Sequence, residues 1–150
     1  MVRTMLSLDP GETTGYAILK ASDKQTIKYG EETTDMVIKT GELKLWYGLE
    51  NLIQESMCDV IVYEQFKLYP WKAKQKHWST FPTAQVVGVI KFLAEQFEIP
   101  ILGHGADAKD HFDDKKLKWA NLYKGKSPHE RDAIRHGLYT IDFDDRLWEV

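Results

Sequence analysis

Residues 5–19 read M-L-S-L-D-P-G-E-T-T-G-Y-A-I-L, and this run decides the fold. Met5 to Asp9 is short and apolar, the pattern of a buried strand. Pro10 lacks a backbone donor and Gly11 tolerates positive φ, so the strand must stop there in a tight turn. Gly15 to Leu19 resumes with apolar and aromatic residues. A second strand is therefore expected, antiparallel to the first across Glu12, Thr13 and Thr14. This arrangement leaves one carboxylate, Asp9, at the end of a buried strand.

Working outward, Val37 to Leu43 predicts a third strand. Leu45, Leu49, Leu52 and Ile53 recur at helical spacing up to Cys58 and Asp59. Val60 to Tyr63 (V-I-V-Y) is a continuous apolar run of the kind covered on both faces, and it delivers Glu64 at its carboxyl end. Phe66 to Pro82 has no period, carries two prolines and mixes aromatics with lysines, which predicts a long loop. Thr83 to Phe97 predicts an apolar helix, with Gly88 open to close approach of another backbone. Ile99 to Leu102 predicts a fifth strand, and Ala106 to Leu122 a basic helix closed by Gly125 and Lys126. Ser127-Pro128-His129-Glu130 matches a capping box with proline at the first helical position, so a last helix should run from there to about Ile141. Residues 142–150 predict an irregular acidic tail. The pattern is α/β: one domain over residues 1–150, with a mixed five-stranded sheet flanked by helices. Sites in such sheets form at strand carboxyl ends, where Asp9 and Glu64 both fall.

The composition, 43% hydrophobic and 29% charged over 150 residues, is that of a folded chain rather than a disordered one. The single cysteine, Cys58, excludes an intrachain disulfide, no apolar run is long enough to span a bilayer, and residues 1–10 lack a secretory pattern. A reducing, cytoplasmic setting is expected. The net charge of -3 hides a basic middle. Residues 1–64 carry 6 basic and 11 acidic side chains, residues 65–128 carry 11 and 6, and residues 129–150 carry 3 and 6. Carboxylates flanking a lysine-rich centre suit metal binding beside a phosphate backbone.

Hydrolysing a phosphodiester without a protein nucleophile calls for cations about 3.5 to 4 Å apart, held by carboxylates. Asp9 and Glu64 leave two strand ends, while His129 and Asp132, three residues apart, share a face in the first turns of the last helix. Singly, each has a structural explanation: a strand-end Asp forms turns, and a helix-start His or Asp meets the dipole or solvent.

Together these residues resemble the RuvC-type Holliday junction resolvases of the ribonuclease H-like superfamily. The opening run is similar to their D-P-G-x-x-x-T-G motif, with Thr13-Thr14-Gly15 closing the loop. Val62-Tyr63-Glu64-Gln65 resembles their second acidic motif, and His129-Glu130-Arg131-Asp132-Ala133 their terminal D/H-x-x-D-A motif. The resemblance implies a ribonuclease H-like fold and a metal-binding catalytic set of Asp9, Glu64, His129 and Asp132. It further implies two Mg²⁺ ions per site, with Mn²⁺ as the alternative, and a Lys109 that stands near the cleaved phosphate. The substrate implied is a four-way junction or other branched DNA. Phe66, Tyr69 and Trp71 interleave with Lys67, Lys72, Lys74 and Lys76, an arrangement that stacks on bases and follows phosphates. The family's aromatic stands three residues after the catalytic Glu, whereas here Phe66 stands two after and Tyr69 five, so the ring that acts as a wedge is left open. The long loop and the early chain end fit a compact viral or mobile-element member.

Three alternatives stand beside this assignment: a sugar-kinase or actin-like ATPase, which needs two such domains; a related nuclease acting on RNA; and a non-catalytic nucleic-acid-binding domain. The intact Asp9, Glu64 and Asp132 argue against the last. Two nicks related by two-fold symmetry imply a homodimer, for which the helix Thr83 to Phe97 is the candidate interface.

Overall fold

The computed structural model describes residues 2–22, 36–66 and 81–150. The elements are β1 (Arg3–Asp9), β2 (Thr13–Ala21), β3 (Val37–Lys44), α1 (Leu49–Ser56), β4 (Val60–Glu64), α2 (Pro82–Gln96), β5 (Ile101–His104), a 3₁₀ turn (Ala106–His111), α3 (Asp114–Trp119), α4 (Pro128–Phe143) and a closing 3₁₀ turn (Asp145–Trp148). The strands form one mixed five-stranded sheet in the order β3-β2-β1-β4-β5. β1 pairs antiparallel with β2 and parallel with β4, and β4 pairs parallel with β5.

Strand alternation assigns each side chain to a face. Leu6, Leu8, Ile61 and Tyr63 pack with α1 and α2 on one side, while Met5, Val60 and Val62 pack with α4 on the other. Ser7 shares the α4 side, and its hydroxyl donates to the Ala133 carbonyl at 2.6 Å. The same parity carries Asp9 and Glu64 onto the α4 side at the strand ends.

Two glycines let α4 lie close to the sheet. A Cβ at Gly15 would stand 2.0 Å from the His129 carbonyl oxygen, and one at Gly137 would stand 2.7 Å from Leu19. At its start, Ser127 caps the helix by accepting from the Glu130 backbone N–H, and the Glu130 carboxylate accepts from the Lys126 N–H and the Thr40 hydroxyl. The expected cap is present, with the reciprocal bond drawn from Lys126 and a tie to β3 added.

Elsewhere the boundaries move for identifiable reasons. The helix expected from Leu45 begins at Leu49, because the chain first turns through Gly48 at φ 87°. β5 lies two residues later than predicted. The segment expected as one helix over 106–122 is two short pieces. Phe112 leaves helical geometry to bury its ring, and Asp113 restarts the chain as a cap by accepting from the Lys116 N–H at 2.8 Å. The acidic end is not an irregular tail: α4 runs on to Phe143, and Leu147 of the following turn is fully buried.

Asp144 anchors that end, lying 2.7 Å from His104 Nε2 and accepting from Arg146. Arg146 first, then His104, overcome burial and hold the Asp144 carboxyl down at about 2. A depressed carboxyl contributes stability above its unfolded value and loses it as pH falls through the folded one. The anchor is worth on the order of 2 kcal/mol at neutral pH.

Gly15→Ala should destabilise the chain by about 2 to 3 kcal/mol in denaturant unfolding, because backbone must move to admit the methyl. Gly88→Ala, with nothing within 4 Å of the added Cβ, should stabilise it by about 0.5 to 1 kcal/mol through helix propensity. Equal effects at the two positions would mean that α4 is not docked as described.

Candidate active site

The parallel pairing of β1 with β4 aligns Leu8 with Tyr63, so Asp9 and Glu64 leave the sheet side by side. α4 crosses above them and presents His129, Asp132 and His136 on successive turns of one face. Lys109 enters from the 3₁₀ turn after β5. Its Nζ lies 3.6 Å from Glu64 Oε1 and 3.9 Å from Asp132 Oδ2. His129 Nδ1 lies 3.6 Å from Asp9 Oδ2, at the open edge of the cluster, with its side chain about half exposed. Thus all five catalytic candidates from the sequence converge: Asp9, Glu64, Lys109, His129 and Asp132.

Asp132 is held by Arg135, whose Nη1 donates to Asp132 Oδ1 at 2.7 Å. The same guanidinium bonds the Phe112 carbonyl at 2.6 Å and pairs with Asp114. Arg135 thus fastens the carboxylate to the rim of an open cleft of about 570 Å³, lined in part by Lys109, Phe112, Lys115 and Asp132. Lys118 and Arg131 stack on the Tyr123 ring at 4.7 and 4.5 Å.

The electrostatics are those of crowded carboxylates. Burial, then the charges of Glu64 and Asp132, push the Asp9 carboxyl up to about 8. Glu64 moves down, because the adjacent His136 imidazole outweighs its burial. Burial opposes the charge on Lys109, but Glu64, Asp132 and Asp9 together raise its affinity for the proton. Glu64 Oε1 and both ring nitrogens of His136 are buried without a hydrogen-bond partner. Hard carboxylate oxygens, one carboxylate forced toward neutrality and unpartnered donors aimed inward together fit a divalent cation.

His136 and Arg135 were not found by sequence reasoning. The available signal was spacing: residues 129, 132 and 136 recur at i, i+3 and i+7, one stripe of a helix. Phe66 packs against Phe81, ring centroids 5.6 Å apart, at the margin of the core below α2. Lys67, Tyr69, Trp71, Lys72, Lys74 and Lys76 lie outside the described residues.

No protein-family model matches the sequence, and no curated protein matches it. Solved structures do match. The architecture is the ribonuclease H-like fold in the form seen in RuvC-type Holliday junction resolvases. T. thermophilus RuvC in complex with a Holliday junction substrate aligns with a TM-score of 0.64 at 12% identity, over 93% of this chain and 91% of that one. The yeast mitochondrial Holliday junction resolvase Ydc2 aligns at 0.55 and 12%, over 97% and 80%. The fowlpox virus resolvase, bound to Holliday junction DNA, aligns at 0.51 and 15%, over 91% and 97%.

A carboxyl raised by burial and repulsion destabilises the fold as pH climbs from its unfolded value toward its folded one. Asp9→Asn should therefore raise the melting temperature of the metal-free protein by roughly 5 °C at pH 8 and change it little near pH 4. Thermal unfolding at the two pH values checks this, and a variant destabilised at pH 8 would contradict the crowding.

Proposed function

We propose that this chain is a metal-dependent endonuclease that resolves four-way DNA junctions. The observation that carries the proposal is the convergence of Asp9, Glu64, Asp132 and Lys109 under α4, at the strand carboxyl ends of a fold shared with junction resolvases. Asp9, Glu64, His129 and Asp132 would hold Mg²⁺ or Mn²⁺. Bound there, paired cations supply the charge that activates water and stabilises the leaving oxygen.

The chain's own groups do the rest. Lys109 offers an ammonium to the scissile phosphate without demanding bidentate geometry. Arg135 keeps one Asp132 oxygen engaged and leaves the other toward the cluster. Lys115, Lys118, Lys126 and Arg131 offer cations to the phosphate backbone, and the lysines and aromatics of residues 66–76 carry the chemistry to meet phosphates and unpaired bases.

Two symmetric nicks need two sites, and a two-fold homodimer supplies the second. On α2, Val87 faces the core and Val89 is half-buried at its edge, whereas Gly88 and Phe92 lie along the outer side, with Phe92 64% exposed. This stripe is the candidate dimer face.

With Mg²⁺ or Mn²⁺, the protein should cut a four-way junction in preference to flap, duplex and RNA substrates. Asp132→Asn should lower cleavage at least about 100-fold while junction binding stays within about threefold. Preferential cutting of RNA would reassign the substrate, and undiminished cutting by the variant would remove Asp132 from the site.

Phe92→Glu, a charge on the exposed side of α2, should yield monomers in equilibrium sedimentation and separate the two nicks in time. A wild-type protein that stays monomeric with and without junction DNA would end the paired-nick mechanism.

A further inference from the structure

The last helix carries a second histidine deeper than His129. His136 is fully buried, its Nε2 lies 3.8 Å from Glu64 Oε1, and neither ring nitrogen has a hydrogen-bond partner. A buried imidazole normally bonds through at least one nitrogen, and leaving both unpaired is costly.

The separation of 3.8 Å is too long for a hydrogen bond. It does suit two donors that share a cation, since ligands each about 2.1 Å from one ion stand roughly 3 to 4 Å apart. One donor atom from each of Asp9, Glu64 and His136 lies within 4.8 Å of the others. His129, about half exposed, lies 3.6 Å from Asp9 Oδ2.

We propose that His136 is a metal ligand, closing with Asp9 and Glu64 a buried position that combines two carboxylates with one imidazole. This rests on the metal-nuclease assignment above and deepens it. Carboxylates alone suit Mg²⁺, whereas an imidazole donor shifts preference toward transition cations such as Mn²⁺. The inner position therefore selects Mn²⁺ over Mg²⁺, and His129 belongs to an outer position shared with Asp9 and Asp132.

Mn²⁺ bound to the full chain provides the test, with no cleavage measured. Pulsed electron paramagnetic resonance should show nitrogen modulation from a directly coordinated imidazole in the wild type. It should persist in His129→Ala, an exposed substitution that leaves the core intact. It should vanish in His129→Ala/His136→Asp, with folding checked by circular dichroism. Titration should show His136→Asn weakening Mn²⁺ binding at least about tenfold, and Mg²⁺ binding less.

Loss of modulation in His129→Ala alone would overturn the proposal and make His129 the imidazole donor. Mn²⁺ binding with no nitrogen modulation in the wild type would also overturn it, removing His129 from the ligand set as well and leaving a carboxylate-only nuclease site. No Mn²⁺ binding at all would remove both. If the buried double variant does not fold, elimination replaces it: modulation must survive His77→Ala, His104→Ala and His111→Ala in the His129→Ala background, and loss in any of these overturns the proposal.

Discussion

The closeness of α4 to the sheet is the constraint on which the site depends. Gly15 removes the side chain that would strike the His129 carbonyl, and Gly137 makes room for Leu19. Ser7 then fastens the helix backbone to β1 from inside the sheet, a hydrogen bond worth about 1 kcal/mol net but with a single allowed geometry. A helix held by side-chain packing alone could slide by an ångström. One held at backbone distance by two glycines and a buried hydroxyl cannot, and positioning of that precision is what a multi-ligand metal site requires.

Strand parity turns this docking into chemistry. Because alternate residues face alternate sides, Met5, Ser7 and Asp9 form one series and Val60, Val62 and Glu64 another, both toward α4. The early members bury apolar surface or pin the helix, and the last member of each is a carboxylate. The site is therefore the core continued one step beyond the apolar residues, which explains why Asp9 is so deeply enclosed and so unfavourably charged. A cluster that repels itself is ready to bind cations and is destabilising until it does.

Sequence alone revealed Asp9 and Glu64, since an apolar run ending in a carboxylate is a one-dimensional signal. The capping box located the start of α4, which in turn placed His129 and Asp132 on one face. His136 escaped because its role is set by depth: a histidine in a helix interior looks the same whether it meets solvent, core or a carboxylate. Arg135 escaped similarly, since its three partners come from Asp132, Phe112 and Asp114, which only the folded chain assembles. The break at Phe112 was hidden because helix propensity favoured continuity across 106–122, while burial of one ring and capping by Asp113 favoured interruption. The charged tail read as irregular because its fully buried apolar residue, Leu147, is outnumbered by acids. One of those acids, Asp144, is itself held by His104 and Arg146.

Lys109 connects the metal-free state with the proposed working one. Its ammonium stands between Glu64 and Asp132, within 4 Å of each, and so offsets part of the repulsion that the carboxylates would otherwise exert. Divalent charge entering the cluster would take over that neutralising role from inside. The lysine would then be partly released toward the cleft beside Asp132, where a phosphate backbone would run. One flexible cationic side chain can thus serve two states: it stabilises the crowded carboxylates before cations arrive and presents positive charge to the substrate afterwards. An arginine, with its planar fork fixed to one carboxylate, would serve the first state better and the second worse, a division of labour that Arg135 and Lys109 already display on opposite sides of Asp132.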